Sequence, residues 1–158
     1  MNANISRFSS LESTLSAIAE VIEPVVCRDG RQYPFVGEKT VRAALEADEN
    51  LRIANAFLMF HLQTEFEQAT KETKDKNRRG FMSSHAGTGT KIVQAMLDGG
   101  TLDPDQEYKV DGLRLIGHEA FLRHVGGRYA KQLSVSLRVL AIQREPELGV
   151  TAQMFSVR

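Results

Sequence analysis

Apolar residues near the start of the chain recur at helical spacing. Leu11, Leu15, Ile18 and Ile22 fall three or four apart and predict a helix with one apolar face. Ser9 and Glu12 stand at capping-box spacing ahead of it, and Pro24 ends it. Two short β-prone runs follow, Val25-Val26-Cys27 and Tyr33 to Val36, with Asp29-Gly30 between them. An Asp-Gly pair in that setting predicts a hairpin, and Pro34 suits only an edge strand. Cys27 reads as a small buried apolar residue.

Glu38 to Ala47 predicts a short helix, and a long helix is expected from about Glu49 to Asp75. Its middle, Ile53 to Leu62, is apolar almost all round, so it lies in the centre of the core or under a second subunit. Central burial is the preferred reading, with a homodimer through this helix as the alternative. Gly80 would cap the helix end after Asn77-Arg78-Arg79. Ser83, Ser84 and His85 offer an N-cap for a helix through Ile92, Val93 and Leu97, which Gly99-Gly100 terminates. Asp103-Pro104 would start another helix carrying Tyr108, Val110, Leu113 and Leu115. Phe121, Leu122 and Val125 continue a helical stripe to Gly126-Gly127.

From Leu133 the period changes. Leu133, Val135, Leu137 and Val139 alternate with Ser134, Ser136 and Arg138, which favours a strand, with Val150 to Val157 returning as its partner. The rival is a helix using Tyr129, Leu133, Leu137 and Leu140. The expected fold is mainly α, of the α+β kind: a compact body of about five to six helices, a small N-terminal β-hairpin and a C-terminal β-hairpin. A single domain is expected over 1–158, with an acidic half at 1–70, a basic helical part at 71–133 and the hairpin at 134–158.

Charge changes this picture more than composition does. The 158 residues carry 20 basic and 20 acidic side chains, and 42% are hydrophobic, which fits a globular domain. Residues 1–70 hold 6 basic and 10 acidic side chains, a net −4, whereas residues 71–138 hold 12 and 8, a net +4. The densest basic run is Lys71 to Arg79. No apolar run approaches a membrane span, no leader pattern opens the chain, and one cysteine excludes a disulfide framework. A cytoplasmic location is the expectation.

Catalytic patterns are weak. His118-Glu119 and His124 miss the four-residue spacing that places two imidazoles on one metal, so no metal site is expected. His85 to Lys91 departs from a phosphate loop and reads instead as a helix start made of small residues for close packing. Ser84 and His85 are adjacent, which suits a cap better than a nucleophile and its base. No cofactor fingerprint is present, and no enzyme is expected.

Asn77 precedes Gly80-Phe81, Leu102 to Gln106 opens the next element, and Arg128-Tyr129 with Gln132-Leu133 closes it. With these residues, 63–133 resembles a small helical module of phage and plasmid proteins that process DNA, found beside helicase, primase or polymerase-like domains. Two departures stand out: His85 replaces the acidic residue usual after the Gly-Phe loop, and Gln106 to Arg128 is longer than the module's single helix.

The resemblance implies contact with nucleic acid or with a nucleic-acid machine. The expected function is a non-enzymatic phage or mobile-element protein that meets DNA or RNA through a basic helical face. That face would use Lys74, Lys76, Arg78, Arg79, Lys91, Arg128 and Lys131. Phe81 and Tyr129 are candidates to stack on bases, with core packing the favoured alternative. The rival function is a protein-binding inhibitor or adaptor of a host defence enzyme, acting through Glu38, Glu46, Asp48 and Glu49, as a monomer or a homodimer.

Overall fold

The computed structural model describes residues 2–22, 25–26, 32–33, 37–63 and 79–144. After a 3-10 segment at Asn2–Phe8 come helices α1 (Leu11–Val21), α2 (Glu38–Ala47), α3 (Glu49–Leu62), α4 (Ser83–Leu97), α5 (His118–Gly126) and α6 (Ala130–Arg144). Two antiparallel hairpins interrupt them, β1 (Val25–Val26) with β2 (Gln32–Tyr33), and β3 (Glu107–Val110) with β4 (Leu113–Ile116). The mainly α fold is therefore the observed one. The N-terminal hairpin is present, pairing Val25 with Tyr33 and Val26 with Gln32. Cys27, Asp29-Gly30 and Pro34 lie outside the described residues.

Helix α3 is the centre. Its residues from Ile53 to Phe60 are all buried. Helices α5, α1, α2 and α4 of the same chain pack on it, and α6 closes the other side of α2. Central burial, the preferred reading for this stretch, is what the structure shows. Each fully buried Phe or Leu side chain here contributes about 1.5–3 kcal/mol. Asp48 caps α3, its Oδ1 accepting from the backbone N–H of Asn50 at 2.9 Å and of Leu51 at 3.2 Å. The helix stops at Leu62, because Gln63 turns to an extended ψ of 153°. The single helix expected to reach Asp75 is thus shorter, and 64–78 lies outside the described residues. At the other end of the chain's first helix, the capping box is one residue later than expected. Ser10 and Ser13 each accept the other's backbone N–H at 3.1 Å.

Two expectations for the second half are overturned. The helix expected after Asp103-Pro104 is instead a turn followed by β3 and β4. Asp103 Oδ1 accepts the Asp105 N–H at 2.9 Å, which closes the turn locally. Asp111 and Gly112 then both take positive φ, 51° and 79°, the two-residue geometry that matches strand twist. Asp111-Gly112 thus makes a hairpin between Glu-Tyr-Lys-Val and Leu-Arg-Leu-Ile. The second correction is the C-terminal hairpin: residues 133–142 lie in α6. Leu133, Leu137 and Leu140 are buried on one helical face, while Val135 and Val139, which made the alternation look like a strand, are each 45% exposed on another. Residues 145–158 lie outside the described residues.

The tightest contact is between α3 and α5. A Cβ placed on Gly126 would meet the Arg52 carbonyl oxygen at 1.7 Å and the Ala56 nitrogen at 3.2 Å, backbone atoms that cannot swing aside. Asn55, fully buried, donates from Nδ2 to the Gly126 carbonyl at 2.9 Å across the same contact. Gly126→Ala is expected to force the helices apart and cost about 3 kcal/mol or more. Asn55→Leu should also destabilise, by about 1–3 kcal/mol, by stranding that carbonyl. Urea titration followed by circular dichroism measures both; a Gly126→Ala midpoint equal to wild type would refute the backbone contact.

Candidate functional site

The functional-site candidate lies where four segments of the second half meet. Loop 79–82 runs against the first turn of α6. The Gly80 N–H donates to Gln132 Oε1 at 2.8 Å, and Gln132 Nε2 donates back to the Gly80 carbonyl at 3.0 Å. Next to this clasp, the Met82 N–H donates to the Tyr129 hydroxyl at 3.1 Å. Gly80 sits at φ 86°, and a Cβ there would reach the Met59 carbonyl oxygen at 2.8 Å, so only glycine lets the loop pass so close to α3. Phe81 turns into the core, its ring filling the slot that Gly89 leaves in α4. Gly89 in the His-Ala-Gly-Thr-Gly-Thr stretch therefore makes room for an aromatic ring. Ser83, Ser84 and His85 form the first turn of α4 and do not cap it; Met82 holds the cap position, with no side-chain hydrogen bond.

Behind the clasp lies a polar chain. Tyr129 Oη and His85 Nδ1 are 2.5 Å apart, and His85 Nε2 is 2.8 Å from Asp111 Oδ2. The phenol already accepts the Met82 N–H, so it donates its own proton to Nδ1, and His85 carries its proton on Nε2 toward the carboxylate. The same Asp111 oxygen accepts from His124 Nε2 at 2.7 Å and from Arg128 Nη1 at 3.0 Å. Asp111 projects from the turn between β3 and β4, His85 from α4, His124 from α5 and Arg128 from the α5–α6 connection. The inner end is closed and the outer end open: His85 is fully buried, whereas the side chains of His124 and Arg128 are 21% and 50% exposed.

Protonation follows from this gradient. Burial pushes His85 below the usual imidazole range, despite the opposing hydrogen bond that it donates to Asp111. Burial alone would raise the Asp111 carboxyl, but the hydrogen bonds from His124 and His85, with the nearby Arg128 charge, hold it lower. Burial drives the Tyr129 phenol upward, so it stays protonated. The two imidazoles bond to the carboxylate directly, and among the described residues no three His, Cys, Asp or Glu side chains are arranged to hold a metal ion.

The expected basic residues separate into three groups. Arg79 precedes Gly80, which bonds Gln132, and Arg128 and Lys131 are the sequence neighbours of Tyr129 and Gln132, the residues that hold Met82 and Gly80. All three are exposed. Lys91 is exposed on α4, two turns beyond the clasp, and no contact joins it to them. Lys74, Lys76 and Arg78 lie outside the described residues. Phe81 and Tyr129 are 1% and 6% exposed, so neither is free to stack on a base, and core packing is their role. Among the acidic candidates, Glu38 pairs with Arg42 and Asp48 caps α3, leaving Glu46 and Glu49 exposed at the α2–α3 junction.

Asp111 and His124 were not singled out from sequence as site residues. The signal for Asp111 was its place in an Asp-Gly turn, the pair already used for the N-terminal hairpin. His124 carried no comparable signal, since only the fold brings it to Asp111. Comparison with protein-family models, with curated proteins and with solved structures found no match for this chain.

Stability should fall on acidification. His85 and His61 are both depressed by burial, His61 while bonded through Nε2 to the Phe8 carbonyl at 2.7 Å. The unfolded chain therefore binds these protons first; the stabilisation is complete above roughly pH 7 and is lost as pH falls through the histidine range. Urea midpoints at about pH 8 and pH 5.5 should show the decline, and His85→Gln should reduce it. A midpoint constant over that interval would contradict the buried neutral imidazoles.

Proposed function

We propose that this protein is a non-enzymatic nucleic-acid-associated protein, of the kind carried by phages and mobile elements. It binds DNA or RNA, or a complex that processes them, through the basic edge at Arg79, Arg128 and Lys131. The observation that carries this reading is the clasp between Gly80 and Gln132. It sets Gly80 at a positive φ, forms two amide hydrogen bonds, and ties the loop that begins at Arg79 to the first turn of α6, which Arg128 and Lys131 adjoin in sequence. Cations grouped on one edge track phosphates by charge and release condensed counterions as they do so. The buried Phe81 and Tyr129 supply no stacking platform, so the contact is to backbone and is tolerant of sequence.

Fluorescence anisotropy with labelled single-stranded and duplex oligonucleotides tests this over a salt series. Affinity should fall steeply with salt. Arg79→Glu with Lys131→Glu should weaken binding about tenfold or more and flatten the salt slope by about two phosphate contacts. Binding that is absent at low salt, or unchanged in the double variant, would remove the basic edge from any such role.

A further inference from the structure

Arg128 belongs to the basic edge and also to the Asp111 cluster, and so the two features are one site. At the open end of that cluster, His124 uses Nε2 for Asp111, while its Nδ1 makes no hydrogen bond to another described residue. Arg128 uses Nη1 for Asp111, and its half-exposed guanidinium keeps further N–H donors. We propose that His124 and Arg128, both oriented by Asp111 Oδ2, form a phosphate-binding pair that closes on a phosphate group when His124 carries its second proton. The proposal rests on the nucleic-acid reading for the source of that phosphate, a backbone phosphodiester at the basic edge.

The charge balance supplies the reason. Asp111 and Arg128 cancel, so with neutral imidazoles the cluster offers an anion no net attraction. The groups facing His124 are Asp111 from the hairpin turn, Arg128 from the α5–α6 connection and the ring of His85 from α4, 6.5 Å away. On its own helix, Arg123 pairs with Glu119. His85 is enclosed and its Nδ1 is taken by Tyr129, which leaves His124 as the imidazole that can gain a proton while facing solvent. That proton adds one positive charge and turns Nδ1 into a donor. Asp111 holds both side chains through His124 Nε2 and Arg128 Nη1, which limits the freedom they lose on binding.

The test compares anisotropy titrations at about pH 6 and pH 8, on either side of the ordinary histidine range. Wild type should bind single-stranded DNA some 3–10-fold more tightly at the lower pH, with a salt slope steeper by about one phosphate contact. His124→Gln keeps an N–H for Asp111 but cannot take the charge. It should lose the difference between the two pH values, whereas His118→Gln and His61→Gln should retain it. A second readout needs no nucleic acid: inorganic phosphate should shift the His124 imidazole resonances and raise their titration midpoint. A pH effect that survives in His124→Gln, or His124 resonances unmoved by phosphate, overturns the proposal. Phosphate-shifted His124 resonances with no oligonucleotide binding at any salt would support the phosphate pair and sink the nucleic-acid reading. Oligonucleotide binding with a pH-independent slope would do the reverse.

Discussion

The arrangement depends on two helices approaching backbone to backbone. Gly126 lets α5 lie against α3 with no side chain between them, and Asn55 reaches across to take the carbonyl that the approach would otherwise strand. Everything that follows Gly126 inherits this position. Gly127 turns the chain, Arg128 comes to Asp111, Tyr129 enters the core beneath loop 79–82, and α6 starts where Gln132 can hold Gly80. The Asp111 cluster is thus built outward from a buried contact, and its polar groups are oriented by packing they do not themselves make.

Polarity within the site is graded by depth. Tyr129 and His85 sit inside, where burial favours their neutral forms and fixes one tautomer. Asp111 lies between, ionised because three donors converge on a single oxygen. His124 and Arg128 face outward. The same carboxylate that would repel an anion therefore also aims the side chains of His124 and Arg128. A protein with no net charge on its 158 residues can in this way still present a local field.

Much of the helical body was legible from apolar spacing. The stripes of α1, α2 and α5 and the all-round burial of α3 follow from where Leu, Ile, Val and Phe recur. The failures have specific causes. Tyr108, Val110, Leu113 and Leu115 fit a helical stripe and a hairpin alike, and Asp111-Gly112 decides between them because two adjacent positive φ angles break a helix. Leu133 to Val139 alternated like a strand because α6 carries exposed valines opposite its buried leucines. The basic residues could be listed from sequence, but the link between the segments that carry them could not. It comes from Gly80 meeting Gln132 across 52 positions, and amide side chains give no advance notice of such a pairing. Asn55, the one amide in the apolar run of α3, was a visible exception whose partner only the fold supplies.

Chain topology gives the Asp111 cluster a further meaning. With a single cysteine, the chain has no covalent tie within itself. Asp111 joins residues 26 positions before it and 13 and 17 positions after it through one oxygen atom. Ties at such separations restrict the chain as short cross-links do, each closing a loop of modest entropy cost. Unlike a disulfide, this cross-link has three arms, forms without an oxidant, and can give up one arm while the other two hold.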